Sequence, residues 1–84
     1  MEITKVTKKV YKVSNAVTRP FMKFGRFREV RETYGMKVQR TCFNCNKKFI
    51  NDDNIYLVVT TGGNKFLCGK CNDIAINDLK EKED

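Results

Sequence analysis

Apolar positions in the first seventeen residues recur with two periods at once. In "ITKVTKKVYKVSNAV", Ile3, Val6, Val10, Val13 and Val17 advance by steps of 3 and 4. On a helix they gather within an arc of about 80°, and Lys5, Lys8, Lys9 and Lys12 centre about 130° away. Read with period 2, the same stretch puts Ile3, Tyr11 and Val13 on one face and Val6 and Val10 on the other. Its β-branched, threonine-rich composition supports that strand reading. Both forms stay open, and in either one side packs while the lysines face solvent.

The following stretch, "TRPFMKFGRFREVRETY" (residues 18–34), reads as a helix. Thr18 can cap it, Pro20 suits an early helical position, and Gly35 can end it. Glu29 and Glu32 sit among arginines as helix ion pairs do. Phe21, Phe24, Phe27 and Val30 step by threes, so they drift by about 60° per step and do not all share one buried stripe. Phe21 and Phe24 are the expected inward pair. "GMKVQRT" (residues 35–41) reads as extended, with Met36 and Val38 on one face and Lys37 and Gln39 on the other.

In the second half, the Asn/Asp cluster at 51–54 predicts a turn and "IYLVVT" a strand. "TGGN" (residues 61–64) supplies a hairpin turn and "KFL" the returning strand. From Cys71, "CNDIAINDLKEKED" predicts a helix with Asp73 in its first turn and Lys80 and Lys82 near its end. Ile74, Ala75 and Leu79 would face inward, and "KEKED" would fray. Phe43, Phe49, Tyr56 and Phe66 are expected core aromatics. Asp52 and Asp53 read as turn residues and not as a metal or catalytic pair.

Length changes the picture. A chain of 84 residues makes one domain whose core is marginal without a staple. The four cysteines can supply one. "MEITKVTKKV" has no apolar signal region, and the longest apolar run, "IYLVV", is far short of a membrane span. A reducing, cytoplasmic setting is therefore expected, which turns the cysteines toward metal.

Cys42-Phe-Asn-Cys45 and Cys68-Gly-Lys-Cys71 are two C-x2-C pairs. Two intervening residues let a tight turn aim both sulfurs at one ion while turn N–H groups support the thiolates, and two such knuckles complete a tetrahedral shell. Asn46 suits the knuckle because asparagine tolerates left-handed backbone. Structural Zn²⁺ on Cys42, Cys45, Cys68 and Cys71 is favoured over a disulfide framework or a redox dithiol. Four thiolates leave no position for activated water, and the chain has no histidine. A catalytic metal is not expected, and neither is an enzyme.

Knuckle, hairpin, and a helix opened by the second cysteine pair together resemble the treble-clef zinc finger, over residues 40–80. The resemblance implies a small α+β zinc-binding domain at 40–84. Residues 1–39 would be a basic extension, helical or mixed, packed on it. Treble clefs serve nucleic-acid binding, protein interaction and some nucleases, and the nuclease branch needs a histidine base that this chain lacks.

Charge divides along the chain. Residues 1–41 hold 11 Lys/Arg against Glu2, Glu29 and Glu32, a net of +8, and residues 42–84 hold 6 against 7. Basic residues interleave with aromatics, a mixture suited to phosphate contact and base stacking. The candidate binding residues are Lys5, Lys8, Lys9, Lys12, Arg19, Lys23, Arg26, Arg28, Arg31, Lys37 and Arg40. The leading expectation is a small zinc-stabilised nucleic-acid-binding protein, with a regulatory role left open. The alternative is an adaptor or inhibitor, of phage or accessory type, docking on an acidic protein. A redox switch and membrane-surface binding rank below both. No small-molecule substrate is expected.

Overall fold

In the computed structural model, which describes residues 1–5 and 9–81, the apolar run at 55–59 becomes the strand on which the rest is assembled. The chain runs β1 (Glu2–Thr4), β2 (Val10–Ala16), β3 (Met22–Lys23), α1 (Phe24–Thr33), β4 (Asn54–Thr60), β5 (Gly63–Leu67) and α2 (Gly69–Glu81). This is an α+β fold with an antiparallel sheet and a C-terminal helix. The expectations for Val6, Lys8, Lys82 and the end of the acidic tail lie outside the described residues.

β4 has two occupied edges. β5 pairs along one of them, from Tyr56 opposite Leu67 to Thr60 opposite Gly63. The other edge is shared by β2 and β3: Val13 faces Thr60, Ala16 faces Val58, and Met22 faces Ile55. β1 then pairs with β2, with Ile3 opposite Tyr11. Residues 2–4 and 10–16 are thus strand, and the helical period that would group Val10, Val13 and Val17 is not used. Ile3 and Val13 are buried and Tyr11 half-buried, while Val10 is exposed, as the period-2 reading divides them. A bulge at Ser14 twists β2 between its pairings with Thr60 and Val59.

The edge is interrupted at 17–20, a stretch that includes Pro20, which has no N–H to offer the ladder. Pairing resumes at once, with the Phe21 N–H donating to the Ile55 carbonyl at 2.8 Å. That ladder corrects the expected start of α1. Thr18 does not cap it and Pro20 lies outside it, since residues 21–23 are drawn onto the edge of β4 and the helix begins at Phe24. Lys23 at the N-cap makes no side-chain capping bond. The first helical N–H groups are instead taken by loop carbonyls, Phe24 to Asp53 at 2.7 Å and Gly25 to Asn51 at 3.0 Å. The C-terminus closes as expected at Gly35 (φ 65°). Gly35 N–H donates to the Glu32 carbonyl and Met36 N–H to the Arg31 carbonyl, the paired bonds of a Schellman turn.

The later start of α1 also changes its buried face. Phe24 and Phe27 are buried, whereas Phe21 is 45% exposed and meets the core edge to face at Phe27 and tilted against Phe66. Phe27 packs on Phe66 at 4.6 Å between ring centroids, and Phe24 on Phe49 at 5.4 Å. Phe49 and Phe66 are core as expected, but Phe43 and Tyr56 are only half-buried.

α2 begins earlier than its sequence suggests. The Cys68 carbonyl accepts the Asn72 N–H at 2.9 Å, so Asp73 lies beyond the first turn. Cys71, Asn72 and Ala75 face inward with Leu79 half-buried, and this phase turns Ile74 out to solvent. Met36 is likewise exposed. Gln39, expected outward, turns in: its Nε2 donates to the carbonyls of Thr41 and Phe66, and its Oε1 accepts the Phe66 N–H. The 36–41 segment is fastened to β5 by one amide instead of by a strand ladder.

Candidate metal centre and basic groove

The first knuckle is built by local hydrogen bonds. Thr41 and Lys48 form an antiparallel bridge, Cys42 N–H donates to the Lys47 carbonyl at 2.8 Å, and Asn46 N–H donates to the Cys42 carbonyl at 3.0 Å. Closing so tight a loop requires left-handed backbone at Asn46 (φ 64°). The second pair uses the start of α2, where Cys68 precedes the helix and Cys71 sits in its first turn.

The four sulfurs converge, all lying within 4.8 Å of one another. Tetrahedral Zn²⁺ with Zn–S bonds of 2.3 Å needs sulfurs about 3.8 Å apart, and Cys45 Sγ lies 3.9 Å from Cys68 Sγ. A single ion fits this donor set. Cys42, Cys68 and Cys71 are buried and Cys45 is exposed. The Lys47 backbone N–H is the main cause holding the Cys45 thiol down at about 7. Burial is the main cause pushing Cys68 up and Cys71 up to about 12. Asn44 Nδ2 donates toward Cys71 Sγ at 3.4 Å. This support, absent from the sequence reading, comes from the polar residue inside the first C-x2-C.

The candidate binding residues do not gather at one place. Arg28 and Arg40 are both tied to Glu32, at 3.2 and 3.1 Å. The Arg40 hydrogen bond holds the Glu32 carboxyl below its ordinary range. Lys23 donates to the Asp52 carbonyl. Lys12, Arg19 and Arg26 are exposed on β2, on the link to β3 and on α1. Lys5 donates to the Phe43 carbonyl and lies 4.0 Å from that ring's centroid, and Lys9 lies 5.6 Å from that of Tyr11.

Arg31 and Lys37 do come together. With Lys65 they line a groove of about 310 Å³ together with Val38, Phe43 and Phe66. The Arg31 guanidinium lies over Phe27 at 4.8 Å. Lys65 lies over both Phe43 and Tyr11, at 5.3 and 5.9 Å, and these two rings meet edge to face at 5.0 Å. The sequence reading passes over Lys65 because it belongs to the acidic half, Phe43 because it reads as a core aromatic, and Tyr11 because period 2 only places it on the face of Ile3 and Val13. Tyr11 also lies across the hairpin tip, where a Cβ on Gly62 would come within 2.1 Å of its ring. Among the described residues no helix is long and apolar enough to cross a membrane.

Comparison of the chain with protein-family models, with curated proteins and with solved structures finds no match.

Proposed function

We propose that this chain is a nucleic-acid-binding protein whose C-terminal half is a Zn²⁺-stabilised treble clef. The ion is structural: four thiolates complete its shell, and it holds the knuckle, the β4–β5 hairpin and α2 in one unit. Binding is assigned to the basic-aromatic surface of Arg31, Lys37, Lys65, Lys5 and Lys9 around Phe43 and Tyr11. One observation carries this reading. Arg31, Lys37 and Lys65 line a single groove without an acidic partner among the described residues. A soluble domain has no structural need to collect three unneutralised cations against aromatic rings, and a phosphate backbone supplies the missing charge.

The test is a salt series with zinc-loaded protein and labelled single- and double-stranded probes. Log affinity should fall linearly with log salt, by about 0.7–0.9 per phosphate neutralised. Glu32→Gln provides a gain-of-binding check, because it releases Arg28 and Arg40 from their carboxylate. Affinity should rise a few-fold and the salt slope should steepen. Absence of binding to every probe at low salt, together with stoichiometric capture of an acidic protein after nuclease treatment, would replace this reading with the adaptor.

A further inference from the structure

The groove between the C-terminal turn of α1, the 37–39 segment and β5 supports a narrower statement, which rests on the nucleic-acid reading and concerns the form of nucleic acid. Its volume of about 310 Å³ lies at the small end of ligand sites. That is room for one nucleotide-sized group. Its apolar and partly aromatic lining comes from Phe27, Val38, Phe43 and Phe66, its cationic lining from Arg31, Lys37 and Lys65, and Gln39 and Asn64 add two amides. The two surfaces ask for different things of one ligand: a flat apolar face and a neighbouring negative charge.

A duplex satisfies only the second demand, because its base faces are stacked away inside the helix. An unpaired nucleotide satisfies both. We propose that the groove holds one nucleotide of a single-stranded segment, its base against Phe43 and Val38 and its phosphate shared by Arg31, Lys37 and Lys65. The surface continues beyond it. Lys65 also overlies Tyr11, and Lys9 lies near the same ring, so the next nucleotide meets a second ring that shares Lys65 and adds Lys9. Gln39 holds the apolar lining in position, since all three of its hydrogen bonds run to Thr41 and Phe66.

The experiment is fluorescence anisotropy on the zinc-loaded full chain with labelled oligo(dT), oligo(U) and a duplex DNA of equal length. At least one single strand should bind about tenfold tighter than the duplex. Lys65→Glu should remove most of that preference. Phe43→Leu keeps apolar bulk in the knuckle but loses the aromatic face, and should weaken single-strand binding about fivefold with metal content unchanged. Lys80→Glu, in a separate groove between β2 and α2, should leave the preference intact. Equal affinity for single strands and duplex, or a preference that survives Lys65→Glu, overturns the groove assignment while leaving nucleic-acid binding in place. Failure of all three probes to bind overturns both. Should Phe43→Leu fail to fold, Lys65→Glu decides alone.

Discussion

The left-handed backbone at Asn46 lets the loop from Cys42 turn back on itself, so that Cys42 N–H and carbonyl both find partners within five residues. A residue with a branched Cβ is strained there. Asn46→Val should lower the stability of the metal-loaded protein by about 1–2 kcal/mol, whereas Asn46→Gly should be nearly neutral. Denaturant unfolding at fixed metal concentration measures both, and equal stability of the two variants would contradict the strain argument. Asn46, Gly35 and the four cysteines were legible in the sequence because their roles depend on neighbours within a few positions. Gln39, Lys65 and Tyr11 were not. Gln39 acts on Phe66, and Tyr11 meets Phe43, Lys65 and Gly62. Nothing near these residues in the sequence announces those partners.

At the scale of elements, the same distinction decides which segments could be read. β4 follows from its β-branched and aromatic run, the hairpin turn from its glycines and β5 as the strand returning from that turn, and α2 from its cysteine-led start. β2 carried two valid periods, and its own residues could not choose between them. The choice was made by the open edge of β4, whose backbone groups gain partners only if residues 10–16 are extended. The same edge delayed α1 to Phe24. The opposite flank of the hairpin depends on Gln39, which satisfies the N–H of Phe66 and shares its carbonyl with the Phe43 N–H. Gln39→Leu should cost about 1–3 kcal/mol by leaving the Phe66 N–H unpaired. It should also speed hydrogen exchange at that amide, while exchange along β2 stays slow. Unchanged exchange at Phe66 would show that the amide is not the fastener.

For the molecule as a whole, an ion on the four thiolates would make metal binding and folding one equilibrium. Burial favours the neutral thiols of Cys68 and Cys71, yet metal is bound by thiolates, so binding must displace at least these two protons at neutral pH. Cys45, held near 7, contributes a further fraction. Protons therefore compete with the ion, and affinity is lost as pH falls. Between pH 7 and pH 6 it should drop at least about 100-fold. Chelator competition at the two pH values measures this, and a flat profile would rule out buried thiol ligands. The division of charge between the halves was visible in composition, but their merger into one sheet was not, since it depends on pairings such as Val13 with Thr60. That merger has a consequence during synthesis. β2 and β3 are synthesised before β4, so a nascent chain carries these two strands without their template until Thr60 has been added and has left the exit tunnel.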